Sequence, residues 1–294
     1  MNENAPRKKL PNVVLTTVNV SVLALLAKYH YLSRRIIQAV LFSHCKSPKA
    51  TNTRLKKLKL NGYIARAAMT VVQNGHNPVP IYYLTKKGAI ALAEATGNSD
   101  YLNCITKPPS PHLLYHWLGI VEAHLMIDKA IDLEAAVELL DFYSEWETIN
   151  KDQTKKSLQF SLHTKLQEDP PLSMAPDFGF AIELAGYKKC FYGEWDTGLD
   201  SIRRIQRKKP GGYFLGSKNN IHHKHFGECG KTSFSILFIT TTEYRRDELA
   251  RQIGQRDGAG LWRFATKSDL SPESFFRLPV WKNCDGEFVR LIKS

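Results

Sequence analysis

The 294-residue chain predicts a two-domain protein of mixed α/β and α+β class. Three observations carry that expectation. Charge is divided unevenly: residues 1–100 hold 15 Lys and Arg against three acids, residues 101–170 hold six against 11, and residues 171–294 hold 20 against 14. Prolines crowd residues 107–111 (Lys-Pro-Pro-Ser-Pro), a composition that stops a helix and stiffens a connection. The hydrophobic pattern also changes there, from three helical periods and a hairpin to a helix followed by strands. The expected domains are therefore 1–100 and 112–294, with a linker at 101–111.

The net charge of +13 sits almost wholly in the first third, which points to a polyanion-binding module there. Hydrophobic content of 43% describes a globular chain, and no apolar run approaches the length of a membrane span. The first nine residues lack the apolar segment of a secretory signal. The five cysteines are odd in number and contain no C-x-x-C, which favours a reducing compartment over a disulfide framework. The expected location is cytoplasmic, with no membrane partner.

In the first domain, Val18, Val22, Leu25 and Leu26 set a helical period. Ser33 is the expected N-cap of a second helix through Ile36, Ile37, Val40 and Leu41. Ser47-Pro48 opens a third helix over 49–60, which Asn61-Gly62 ends. Residues 63–64 and 69–72 read as strand, 73–78 as a turn cluster and 81–84 as the return strand. Helix, helix, helix, hairpin is the order of a winged helix-turn-helix. The segments TNTRLKKLKLNGYI (51–64) and YYLTKKGAIALAEA (82–95) resemble the recognition helix, wing and trailing helix of bacterial winged-helix proteins.

A helical wheel assigns the third helix residue by residue. With Leu55 and Leu58 facing the core, Thr51 falls on the same side, and Lys49, Thr53, Lys56 and Lys57 fall opposite, where a major groove of duplex DNA would lie. Lysines mostly bind phosphates, so base reading is expected of Asn52, at the flank, or Arg54. His76, at the wing tip, is a candidate for backbone or minor-groove contact. Leu60 also falls outward, where a homodimer or an interdomain contact would cover it.

In the second domain, residues 112–131 read as one long helix carrying Leu113, Trp117, Ile120, Val121 and Leu125. A strand ends in Glu145-Trp146-Glu147. Strands at 175–184 and 188–196 follow, joined by Ala185-Gly186, then a basic helix at 201–209 and a Gly-rich irregular stretch at 210–233. A buried-type strand at 234–240, a helix at 245–253 and a short strand at 262–265 complete an αβββαβ core. Glu194 and Asp196 alternate along one strand and share a face, with Trp195 on the other. With Asp177 on the neighbouring strand, three carboxylates converge into a hard-oxygen site suited to Mg²⁺ or Mn²⁺, which can activate water in phosphoryl chemistry. Glu145 is a candidate fourth carboxylate.

Pro176-Asp177 and Glu194-Trp195-Asp196 resemble the motif of the PD-(D/E)XK superfamily, which implies a restriction-endonuclease-like fold for this domain. Winged helix plus this motif, over about residues 15–280, resembles the replication-relaxation family of plasmids and other mobile elements. The resemblance implies Asp177, Glu194 and Asp196 as metal ligands and catalytic groups. It also implies a role in replication or mobilisation alongside a partner protein. The nuclease pattern expects lysine where Asp196 stands; Lys208 or Lys209 on the following helix could supply that charge. Two functions remain open: a DNA-binding protein that is also a Mg²⁺-dependent nickase, or a DNA-binding regulator or replication factor whose second domain keeps the fold without catalysis. His222, His223, His225 and Cys229 are spaced too tightly for a usual structural zinc site, so zinc is not expected. Gly211, Gly212 and Gly216 do not form a phosphate loop.

Overall fold

Residues 15–69, 79–150, 152–227, 229 and 233–292 are described in the computed structural model. The expected wing tip, with His76, lies outside them. The first elements are α1 (Thr17–Tyr29), β1 (Leu32–Ser33), α2 (Arg34–Leu41), α3 (Lys49–Leu60), β2 (Ile64–Met69), β3 (Val79–Leu84) and α4 (Lys86–Thr96). Three of these four helix starts have a local side-chain cause. The Thr16 hydroxyl accepts from the Asn19 N–H, the Ser33 hydroxyl from Ile36 and the Thr85 hydroxyl from Gly88, so three N-termini are capped by side chains. At the C-terminus of α3, Asn61 is the cap and Gly62 takes a φ of 73°, the left-handed region that glycine enters without strain.

These strands form an antiparallel sheet in the order β1-β3-β2, with Ile64 opposite Leu84 and Met69 opposite Val79. The two-residue β1 is too short to leave a periodic signal in the sequence. Thr51, Leu55 and Leu58 of α3 are fully buried with Leu23 and Leu26 of α1, the core face that the helical wheel expects.

The second half contains α5 (Pro111–Asp132), β4 (Val137–Ser144), α6 (Lys156–Gln159), β5 (Thr164–Gln167), β6 (Leu172–Met174), β7 (Phe178–Leu184), β8 (Tyr187–Trp195), α7 (Ile202–Lys218) and α8 (Ile221–Phe226). It continues with β9 (Ser235–Thr240), α9 (Glu243–Ile253), β10 (Trp262–Thr266), α10 (Pro272–Phe275), β11 (Trp281–Lys282) and β12 (Phe288–Val289). One seven-stranded sheet runs β12-β11-β10-β9-β8-β7-β4. Strands β4, β7 and β8 form an antiparallel meander, and β8, β9 and β10 are parallel. Parallel neighbours need crossover helices, and α7 and α9 supply them.

The chain divides into two units, Met1–Leu118 and Gly119–Ser294. The division falls inside α5, a few residues beyond the proline-rich stretch that the sequence marks as the linker. Within the first unit, the Trp117 ring at the start of α5 stacks on Tyr31 with centroids 5.3 Å apart.

Strand alternation sorts the second unit's sheet into two faces. Phe191, Gly193 and Trp195 point one way, and a Cβ on Gly193 would come within 1.9 Å of the buried Phe178 ring. Tyr192 and Glu194 point the other way, toward Tyr213 of α7.

Helix α7 runs nine residues past the expected end at Lys209, through Pro210, Gly211 and Gly212. The glycines serve packing rather than breaking. A Cβ on Gly212 would sit 2.5 Å from the Ser173 carbonyl oxygen of β6, so only glycine lets the helix approach that closely. The helix α8, where the sequence reads an irregular loop, follows directly.

Candidate functional site

The first candidate surface is α3. Its order of exposure matches its periodicity: Lys49, Asn52, Thr53, Lys56 and Lys57 are exposed, opposite buried Thr51, Leu55 and Leu58. Leu60 is 45% exposed on the same outward side. Arg54 behaves differently. Its Nη1 donates to Asn19 Oδ1 at 2.8 Å and to Thr16 Oγ1 at 3.3 Å, so the guanidinium braces α3 against the start of α1. That leaves Asn52 as the exposed side chain on this face able to pair bidentately with a base edge.

The second candidate site is at the end of the sheet where β4 and β8 finish and β7 begins. Asp177 immediately precedes β7; its N–H donates to the Gly193 carbonyl at 3.0 Å, and its Oδ2 accepts from the Trp195 N–H at 2.6 Å. These bonds lock the Asp177 carboxylate beside β8. The Glu145 N–H donates to the Asp177 carbonyl at 2.8 Å, and a carboxylate oxygen of Glu145 lies within 4.8 Å of one on Asp177. Glu194, 3% exposed, accepts from Lys209 Nζ at 2.5 Å on Oε2 and from the Tyr213 hydroxyl on Oε1.

Lys209 is therefore the cation of this cluster, whereas its neighbour Lys208 is exposed. Burial acts to lower the Lys209 pKa, but the surrounding charges of Glu194, Asp177 and Glu145 outweigh it and hold the ammonium above the usual lysine range. Burial, then the charge of Glu194, pushes the Tyr213 phenol well above its ordinary value. Both groups thus stay protonated: Lys209 offers fixed positive charge rather than a base, and Tyr213 offers a hydrogen-bond donor.

Asp196 continues the ladder beyond β8, its N–H donating to the Ile239 carbonyl at 2.9 Å. Alternation puts its side chain on the same face as Glu194, as the sequence expects, but with different partners. Arg245, in the first turn of α9, grips the carboxylate through Nε and Nη2; Thr240 Oγ1 donates to Oδ2 at 2.6 Å, and the Gly198 N–H to Oδ1 at 3.0 Å. Asp196 is 5% exposed and Arg245 13% exposed at the side chain. Four donors on two oxygens leave this carboxylate committed to joining β8 to α9.

The hard-oxygen donors that suit a divalent cation are thus Asp177 and Glu145, with Glu194 available if Lys209 turns away. Sequence reasoning missed Tyr213 and Arg245; of its two candidate lysines, Lys209 meets Glu194 and Lys208 does not.

The histidine cluster resolves into packing. His225 is 9% exposed on α8, with Nδ1 2.6 Å from the Tyr192 hydroxyl and Nε2 2.9 Å from Thr164 Oγ1. Burial first, then Lys224 and His222, lowers its pKa to about 4, so the ring is neutral near pH 7.

Among the described residues, no helix is long and apolar enough to cross a membrane. No curated protein matches the chain. Two solved structures of mutants of ZitR from Lactococcus lactis are similar at 24% and 22% identity, covering 40% and 45% of this chain and 80% of theirs. Their TM-scores are 0.23 and 0.24, too low to carry an argument. The replication-relaxation family model matches residues 23–214, about two thirds of the chain, taking in both the α3 face and the Asp177–Glu194–Lys209 cluster; the chain belongs to the replication-relaxation family.

Proposed function

We propose that this protein binds duplex DNA through α3 and serves the replication of a plasmid or other mobile element. The observation that carries the reading is the outward face of α3: three lysines, Asn52 and Thr53 on one side of a helix whose opposite side is core. The order of α1, α2, α3 and the β2–β3 hairpin is that of a winged helix-turn-helix, in which the third helix enters the major groove. Lys49, Lys56 and Lys57 would meet phosphates, and Asn52 a base edge. Lys56→Ala with Lys57→Ala should weaken duplex binding and flatten the log-log salt dependence by about one to two units. Fluorescence anisotropy across a salt series measures both. Unchanged affinity and slope would remove α3 as the docking element.

A second reading, metal-dependent DNA nicking by the second unit, is favoured by the meeting of Asp177, Glu145 and Glu194 around Lys209. The antiparallel meander followed by a parallel crossover strand is compatible with a restriction-endonuclease-like core, and Lys209 then carries, from the next helix, the charge that the motif normally places where Asp196 stands. The donor set fits Mg²⁺ or Mn²⁺, held by Asp177 with Glu145 and Glu194. A bound ion would supply Lewis acidity at a phosphate and a more acidic water. The chain's own share would be to fix the Asp177 carboxylate through the Trp195 N–H and to keep Lys209 charged beside it. Mn²⁺ at about 100 times its Kd should stabilise the protein by about 2.7 kcal/mol, and Asp177→Asn should abolish that gain and any plasmid nicking while leaving duplex binding intact. Absence of both Mn²⁺ stabilisation and nicking in the wild type would reject this reading and leave the first.

A further inference from the structure

The two adjacent lysines of α7 point to opposite sides of their helix, and the side taken by Lys208 has no role in the cluster described above. At about 100° per residue, Ile205, Lys209, Gly212, Tyr213 and Gly216 share one arc, and all but Lys209 are buried. Arg203, Arg204, Arg207 and Lys208 span the opposite arc of about 140°, and all four are exposed. Arg204 is engaged: its Nη1 lies 2.8 Å from Asp200 Oδ1. Arg203, Arg207 and Lys208 make no side-chain ion pair among the described residues. Four cations in six residues, with one acid to offset them, repel one another unless an external anion lies across them.

A second observation lies at the end of the sheet where β8 and β9 finish. Leu199, 78% exposed, and Tyr244, 77% exposed, stand out among the exposed large apolar side chains. Leu199 lies in the loop leading to α7, and Tyr244 in the first turn of α9. The bond from Arg245 Nη2 to the Asp200 carbonyl, 2.5 Å, joins their chain neighbours and so brings the two segments that carry them together. An exposed aromatic ring and an exposed aliphatic group on two joined segments, with a strip of cations on the helix that follows one of them, match the two demands of an unpaired nucleic-acid strand. Phosphates take the cations, and an unstacked base takes the ring face. Bases paired and stacked inside a duplex offer no such face.

We infer that the outer arc of α7 (Arg203, Arg207 and Lys208), together with Tyr244 and Leu199, forms a second nucleic-acid surface that holds single-stranded DNA. It is separate from α3 and does not depend on the reading of α3. The strip lies on the side of α7 opposite Lys209, and it begins near the end of the sheet where β8 finishes.

The test uses the full chain and a labelled oligothymidylate, with a duplex of the same length as control. Arg203→Ala, Arg207→Ala and Lys208→Ala combined should weaken single-strand binding at least tenfold at about 0.1 M salt. The salt slope should fall by about two units, three contacts at roughly 0.7 each. Tyr244→Ala should weaken single-strand binding severalfold with the slope unchanged, and Tyr244→Phe should restore it, because stacking needs the ring and not the hydroxyl. Duplex binding should change less than twofold in all three variants, while the Lys56→Ala, Lys57→Ala protein should show the reverse pattern. All the substituted groups are exposed, so an unchanged Tm is expected and verifies folding. The proposal is overturned if the wild type does not bind the oligothymidylate, if the triple variant binds it as the wild type does, or if single-strand and duplex binding fall together.

Discussion

Arg245→Ala is expected to destabilise the second unit by about 3–5 kcal/mol, the cost of leaving a buried carboxylate without its counter-charge. Asp196 has the geometry for so large an effect. It is nearly inaccessible, and Arg245 grips it through two nitrogens while the same guanidinium reaches the Asp200 carbonyl. The pair ties the exit of β8 to the entry of α9, on either side of β9. Removing the guanidinium strands the charge; removing both partners does not. Asp196→Leu with Arg245→Met should therefore recover much of the loss, since apolar replacement of a buried pair is often close to neutral. Urea unfolding of the two single variants and the double variant measures the coupling. A loss below about 1 kcal/mol for Arg245→Ala would mean that water reaches Asp196 and that the pair behaves as a surface bridge. The result also bears on chemistry. A carboxylate held this way serves the fold, and under the proposed nicking reading a metal ion would be left to Asp177, Glu145 and Glu194.

What could be read from the sequence was what depends on local period and local caps. The face of α3 follows from Leu55 and Leu58, and the start of α2 from Ser33, because a helix wheel and an N-cap involve residues three or four apart. The common direction of Glu194 and Asp196 follows from strand alternation alone. The extension of α7 was hidden because Pro210, Gly211 and Gly212 read as breakers; their tolerance depends on β6, nearly 40 residues earlier, which the helix must approach closely. Arg54 reads as a groove residue until Asn19 is placed beside it, 35 residues away in sequence. The choice between Lys208 and Lys209 was within reach: Lys209 lies four residues after Ile205 and four before Tyr213, on the arc that a wheel marks as buried, whereas Lys208 falls on the polar arc. Arg245 was not, since nothing in the sequence links it to a carboxylate 49 residues earlier. Asp177, Glu194 and Asp196 were named as a group because they lie on neighbouring strands; how each is engaged depends on helices that pack later, and Asp196 goes to α9.

Acidification should destabilise this protein through His225. The ring is buried and neutral, held between Tyr192 and Thr164, with its pKa lowered to about 4. An unfolded histidine titrates near 6.5. Between these values the unfolded chain binds a proton that the native state does not, so stability falls as pH drops from about 6.5 and levels off only below about 4. About 2.5 pH units at 1.36 kcal/mol each amounts to roughly 3 kcal/mol lost by pH 4. His163, whose pKa burial also lowers, adds in the same direction, so the wild-type slope alone does not isolate the ring. The informative quantity is the difference between pH 7 and pH 4 in unfolding free energy, wild type against His225→Gln. Glutamine carries no titrating group, so the variant should be less stable at pH 7 yet lose about 3 kcal/mol less on acidification. Equal losses in the two proteins would show that water or a shift of α8 already solvates the imidazole. The Tyr192–His225–Thr164 chain would then not be what fixes α8 against β8.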